Sequence, residues 1–179
     1  MRLPIIKTSV LVILAGAAGL LLYAASKPDT FRVERSVSVK APPDRVFALI
    51  NDMHAFNTWN PYVKKDPAIK GTYTGPAAGK GAGYGWQSSE VGVGSMEVTD
   101  ATAPSMVAMK LDFVEPFEAH NRAEFTVQPA AGETHVTWAM FGPVPYTAKV
   151  MHVLFDIDKM VGGDFERGLH DLKRLAEAG

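Results

Sequence analysis

Cysteine is absent from all 179 residues. Disulfides, thiolate zinc sites and cysteine nucleophiles are thereby excluded. An excess of charge of either sign is missing too: 18 Lys and Arg stand against 19 Asp and Glu, for a net charge of −1. Neutralising phosphates needs a basic face, so this balance argues against a nucleic-acid partner. Histidines are few and scattered. His152 and Asp156 stand one helical turn apart but lack a third ligand, which reads as a surface pair rather than a metal site. No Ser-His-Asp order emerges. Gly79-Lys80-Gly81-Ala82-Gly83 has the glycines of a phosphate loop but leads into a strand, so it reads as a turn. No cofactor is implied, and no internal repeat or low-complexity tract is present.

One feature is abundant where charge is lacking. Between Lys7 and Lys27 runs TSVLVILAGAAGLLLYAAS, with no charged side chain. At ~1.5 Å per residue it makes a helix about as long as a bilayer core is thick. A charged group at the centre would cost about 3 kcal/mol, and a helix satisfies every backbone group internally, as lipid requires. Residues 8–26 are expected either to span a membrane or to form a secretory signal. Leu20-Leu21-Leu22-Tyr23 keeps the run bulky almost to its end, and the one candidate cleavage site is Ala24-Ala25-Ser26. Tyr23 and Lys27 resemble an interfacial anchor pair, which favours a retained anchor over cleavage. Residues 1–27 thus form the anchor or signal, and 28–179 a single domain. Arg2, Lys7 and the α-amino group precede the span, so the positive-inside rule puts the N-terminus in the cytoplasm. The expectation is a single-pass protein of a cell inner membrane, its domain extracytoplasmic. Arg32, Arg35 and Lys40 follow the span and oppose that bias.

After the linker Ser26-Lys27-Pro28-Asp29, strand signals begin. Phe31, Val33, Val37 and Val39 alternate with polar residues, the period of a strand with one buried face. Arg35 interrupts the apolar side and reads as a strand end or bulge. Ala41-Pro42-Pro43-Asp44 stops the strand and opens a helix with Val46, Phe47 and Ile50 on its apolar face. Asn51-Asp52 ends it, and a second short helix is expected over Met53–Trp59. Pro61 and Pro67 mark loops. Five strands follow, near 69–75, 81–88, 92–100, 105–114 and 117–128. The turn Ala130-Ala131-Gly132-Glu133 then leads into a last strand over 134–141. The chain closes on an apolar stripe at helical spacing, Val150, Leu154, Ile157, Val161, Phe165, Leu169, Leu172 and Leu175, with a kink or break expected at Gly162-Gly163. The class is α+β: a curved antiparallel sheet wrapped around a long C-terminal helix, preceded by the transmembrane helix.

Three stretches carry a resemblance. They are Val39-Lys40-Ala41-Pro42-Pro43-Asp44-Arg45-Val46-Phe47, Trp59-Asn60-Pro61, and Thr134-His135-Val136-Thr137-Trp138 with Gly142 after it. The ending Gly163-Asp164-Phe165-Glu166-Arg167-Gly168-Leu169, then Leu172-Lys173, adds a fourth. In order and spacing they resemble the SRPBCC superfamily, also called START-like or helix-grip, and within it the polyketide cyclase/dehydrase-like subgroup. The resemblance covers roughly residues 31–177. It implies a cavity between the concave sheet and the last helix that binds lipids, sterols, polyketides or hormones, with catalysis in some members. The membrane span is an addition to the bare family domain.

Strand and helix phase gathers the candidate ligand-binding residues: Trp59, Tyr84, Trp86, Met96, Met109, Asn121, Phe125, Trp138, Met140 and Leu154. Such a lining is apolar and adaptable, and packing of the same side chains into a closed core is the alternative. Asn121 is the inward polar group, satisfied either internally or by a ligand. Glu115 and Glu118 flank Pro116 at a strand entry and are the candidate carboxylates for catalysis, expected at the pocket rim. Strand phase turns Glu97, Asp112 and Glu124 outward and places no Asp, Glu or His firmly inside. The expected partner is a hydrophobic small molecule or lipid. Membrane-tethered binding is the first reading and a cyclase/dehydrase-type enzyme using the same cavity is the alternative.

Overall fold

The computed structural model describes residues 3–179. Arg2 and the α-amino group, on which the orientation rests, lie outside the described residues, as does the side chain of Lys7. Two compact units divide the chain: Met1–Phe31 with Pro143–Ile157, and Arg32–Gly142 with Asp158–Gly179.

In the first unit the uncharged run is helical as expected, α1 (Leu3–Ala25), and it is long and apolar enough to cross a membrane. The unit's second helix is α5 (Tyr146–Leu154). The Tyr146 hydroxyl donates to the Leu21 carbonyl at 3.0 Å, and Lys149 Nζ pairs with Asp29 at 2.6 Å. Lys27 Nζ donates to the Tyr23 hydroxyl at 2.7 Å.

The second unit is built on a sheet in the order β1-β7-β6-β5-β4-β3-β2. The strands are β1 (Thr30–Val39), β2 (Lys70–Thr74), β3 (Gly83–Ser88), β4 (Gly92–Thr102), β5 (Met106–Glu115), β6 (Ala119–Ala130) and β7 (Glu133–Pro143). From β2 to β7 each strand pairs antiparallel with the next in sequence. Register shifts at Val93/Gly94 and Val98/Asp100 interrupt the β4–β5 ladder, and such bulges bend the strands and add twist. The turn joining β6 to β7 holds Ala131 and Gly132 at φ 48° and 86°, the twin positive values that match a two-residue turn to the twist of its strands.

Three helices fill the crossover between β1 and β2. Pro43 opens α2 (Pro43–Asn51), whose Val46 and Ile50 are buried. The Asp52 carboxylate caps α3 (Met53–Trp59) by accepting from His54 N at 2.8 Å and Ala55 N at 3.0 Å. A third helix, α4 (Pro61–Lys65), stands where the sequence suggested only a loop. Asn60 accepts from Tyr62 N at 3.1 Å and Pro61 takes the first helical position, so the pair is a cap rather than a stop.

The closing helix α6 (Ile157–Glu177) buries Phe165, Leu169, Leu172 and Ala176 against the sheet. The break expected at Gly162-Gly163 falls earlier. Phe155 is extended, at φ −126° and ψ 133°, and ends α5 there. Both glycines lie inside α6, and at Gly162 a Cβ would collide with the Arg35 guanidinium. Arg35 is thus no bulge residue. It crosses α6 where a side chain is missing and pairs with Asp158 and Glu166, each at 2.9 Å. The break also corrects Leu154: the extended residue after it ends the helical phase of the stripe, and Leu154 is 58% exposed rather than buried.

Candidate ligand cavity

The concave face of β3–β7 and the helices α4 and α6 line a cavity of about 310 Å³. Its walls follow from alternation: Tyr84 and Trp86 come from β3, Met96 from β4, Met109, Leu111 and Phe113 from β5. Ala123 and Phe125 of β6 and Trp138 and Met140 of β7 complete the sheet side. Val161 and Phe165 close it from α6, Phe56 from α3. The aromatic wall is ordered by ring contacts. Trp138 stacks on Phe165 at 3.9 Å and 9°, and Trp86 meets Phe113 edge-on at 5.9 Å.

Seven of the ten residues expected to line a pocket do so: Tyr84, Trp86, Met96, Met109, Phe125, Trp138 and Met140. The other three lie elsewhere. Trp59 is fully buried behind the wall, donating Nε1–H to the Leu49 carbonyl at 2.8 Å. Asn121 is buried too, with Oδ1 packed over Gly142 and no hydrogen-bond partner. Leu154 is exposed on α5.

Glu115 and Glu118 are both exposed and outside the cavity lining. Glu118 instead accepts from His120 at 3.3 Å, and Asp112 holds the other ring nitrogen at 2.8 Å. Hydrogen bonds to Asp112, then Glu118, raise the His120 pKa above its usual 6.5.

The expectation of no inward acid is overturned at one end of the cavity. Asp164 of α6 lines it and is 5% exposed. Lys65 Nζ pairs with it at 2.6 Å, Arg167 makes a second ion pair, and the Tyr62 hydroxyl is a third partner. Burial first, then the Asp164 charge, pushes the Tyr62 phenol well above its usual range. A buried carboxylate needs such partners, since desolvation alone would neutralise it. Burial also raises the Tyr84 phenol. The cavity therefore has largely apolar walls, a buried acid, a phenol and an ammonium in Asp164, Tyr62 and Lys65, and the exposed Glu90 also on its lining. The missed signal was helical: Val161, Asp164, Phe165 and Gly168 share a face at three- and four-residue spacing. Among the described residues no three His, Asp or Glu side chains cluster to hold a metal.

Residues 30–177 match the family described as polyketide cyclase / dehydrase and lipid transport. No curated protein matches the chain by sequence. Solved structures do. Protein Ms6760 from Mycobacterium smegmatis is 18% identical at a TM-score of 0.58, over 83% of this chain and 92% of its own. CV1439 from Chromobacterium violaceum is 15% identical at 0.59, over 86% and 100%. The ginseng major latex-like protein 151 from Panax ginseng is 13% identical at 0.58, over 83% and 99%. At these identities the likeness is one of fold.

Proposed function

The chain belongs to the polyketide cyclase / dehydrase and lipid transport family, and from that premise we propose that it holds an apolar small molecule or a lipid while tethered to a membrane by α1. The observation that carries this reading is the cavity of about 310 Å³ with aromatic and methionine walls. That volume is at the lower end of ligand sites, which span ~300–1,000 Å³. Apolar burial at ~25 cal/mol per Å² would supply affinity, less the cost of ordering the ligand. Tyr84, Trp86, Met96, Met109, Phe125, Trp138 and Met140 are the proposed contacts. The tether is the uncharged run of α1 after Lys7, with Tyr23 and Lys27 at the bilayer surface, a cell inner membrane as its place and the domain on the extracytoplasmic side.

One observation favours a second reading. Asp164 and Tyr62 put an acid and a phenol inside the cavity, the groups that proton transfer in a cyclisation or dehydration would require. On that reading the same walls position a substrate and Asp164 moves a proton.

Native mass spectrometry of the full chain, released gently from nanodiscs, tests the first reading. A bound lipid or apolar metabolite should accompany the wild type and be lost from Ala123→Phe, which fills the cavity from a lining position. A wild type that carries nothing and takes up no added fatty acid, sterol or polyketide would overturn it. Turnover of such a ligand, abolished in Asp164→Asn with binding retained, would establish the second reading.

A further inference from the structure

We infer that α5 is a membrane-surface helix whose exposed apolar face, Met151 and Leu154, is covered by lipid together with Phe155 just past its end. The inference rests on reading α1 as a membrane span. α5 is inverted for a helix facing water. Its cationic residue Lys149 is 7% exposed and tied to Asp29, and His152 sits edge-on to Phe31 at 5.9 Å. The opposite side carries Leu154 at 58% exposure, with Met151 one turn before, and Phe155, just past the helix end, is 49% exposed. A surface helix normally turns its charge outward and its apolar residues inward. The reverse arrangement suits a helix in contact with lipid.

Connection to α1 sets the depth. The Tyr146 hydroxyl, in the first turn of α5, donates to the carbonyl of Leu21 at 3.0 Å, and Val144 N donates to the Asp29 carbonyl at 2.7 Å. Leu21 lies four residues before the helix end at Ala25, about 6 Å along the helix at ~1.5 Å per residue, with Lys27 two residues further on. If the Tyr23–Lys27 pair marks the bilayer surface, the hydrogen bond from Tyr146 holds the start of α5 below it. Interfacial helices bury their apolar faces ~5–10 Å into the headgroup and acyl boundary, which is the same depth. The occupant is therefore the bilayer that receives α1, and the tether becomes two helices rather than one.

The cysteine-free chain permits a direct test. The full chain in phosphatidylcholine/phosphatidylglycerol nanodiscs would carry one spin label at a time, through Leu14→Cys in α1, Leu154→Cys at the end of α5 or Phe155→Cys just past it, and Thr74→Cys on exposed β2. Power saturation with oxygen and a nickel chelate reads the depth of each. The expected result is oxygen-accessible labels at 14, 154 and 155, the α5 pair shallower than position 14, and a nickel-accessible label at 74. Labels at 154 and 155 as nickel-accessible as 74, with 14 in hydrocarbon, would overturn the inference and leave the span intact. Labels at 154 and 155 shielded from both reagents would also overturn it, because protein then covers the face. A nickel-accessible label at 14 would overturn the span and this inference with it.

Discussion

Replacing Leu169 by Ala tests whether α6 is the lid of the core. Leu169 is 2% exposed, on the inner stripe with Phe165 and Leu172. Removing three carbons forfeits about 2.4 kcal/mol of transfer energy at ~0.8 per methylene. A void left in place adds about 1.5 kcal/mol at ~24 cal/mol per Å³ if some 60 Å³ persists. Its walls have little freedom to collapse. One residue earlier, Gly168 lies so close to the Pro61 ring and to Trp138 that a Cβ there would stand 2.9 Å from each. The helix therefore cannot settle inward, and the expected loss is about 4 kcal/mol, in the upper half of measured Leu→Ala costs. Urea unfolding of the full chain in mild detergent, followed by fluorescence of the buried Trp59 and Trp138, reads it as a lower midpoint at unchanged slope. A loss below about 1 kcal/mol at the same slope would refute the packing of α6 against the sheet.

Gly168→Ala should also destabilise, by about 1–3 kcal/mol in the same urea assay, because overpacking against Pro61 and Trp138 exceeds the ~1 kcal/mol that Ala gains in a helix. The Arg35 hydrogen bond holds Asp158 below its usual value, so that ion pair stabilises above the unfolded carboxylate pKa and is lost as pH falls through the lower folded one. Thermal melts across acid pH should show this, and Asp158→Asn should flatten them. His120 has the opposite sign: its raised pKa gives stability that is present below the ordinary value and lost as pH rises through the folded one. A proton-NMR titration of the ring should move down toward its usual 6.5 in Asp112→Asn, and an unmoved titration would remove Asp112 as the cause.

Strands with a buried face were legible because alternation declares that face within a few residues. Tyr84 and Trp86 on β3, Met109 on β5 and Phe125 on β6 reach the cavity as period two requires. Helical positions were harder, since they depend on what lies opposite. Pro61 reads as punctuation until Asn60 is seen capping α4. Arg35 breaks an apolar pattern for a reason that lies 123 and 131 residues away, at Asp158 and Glu166. No local rule reaches that far. The place of the break between α5 and α6 was misread because glycine was weighed as a helix breaker. At Gly162 its missing side chain matters instead, giving Arg35 its passage across the helix.

Asp164 follows from the same distinction. Strand phase assigns every residue to one of two faces, so it identified an apolar lining and reported no inward acid. On a helix a carboxylate can lie between an inward and an outward position, reaching a cavity with its oxygens while its partners approach from the solvent side. Lys65 and Arg167, both substantially exposed along their side chains, do so at Asp164. The residue is adjacent to Phe165, which stacks on Trp138 in the opposite wall. One turn of α6 therefore supplies both the apolar closure of the cavity and its polar end. A change that loosens the Phe165 stack also moves the carboxylate. Stability of the lid and chemistry of the cavity are coupled through that turn, and variants of α6 need both readouts to be interpreted.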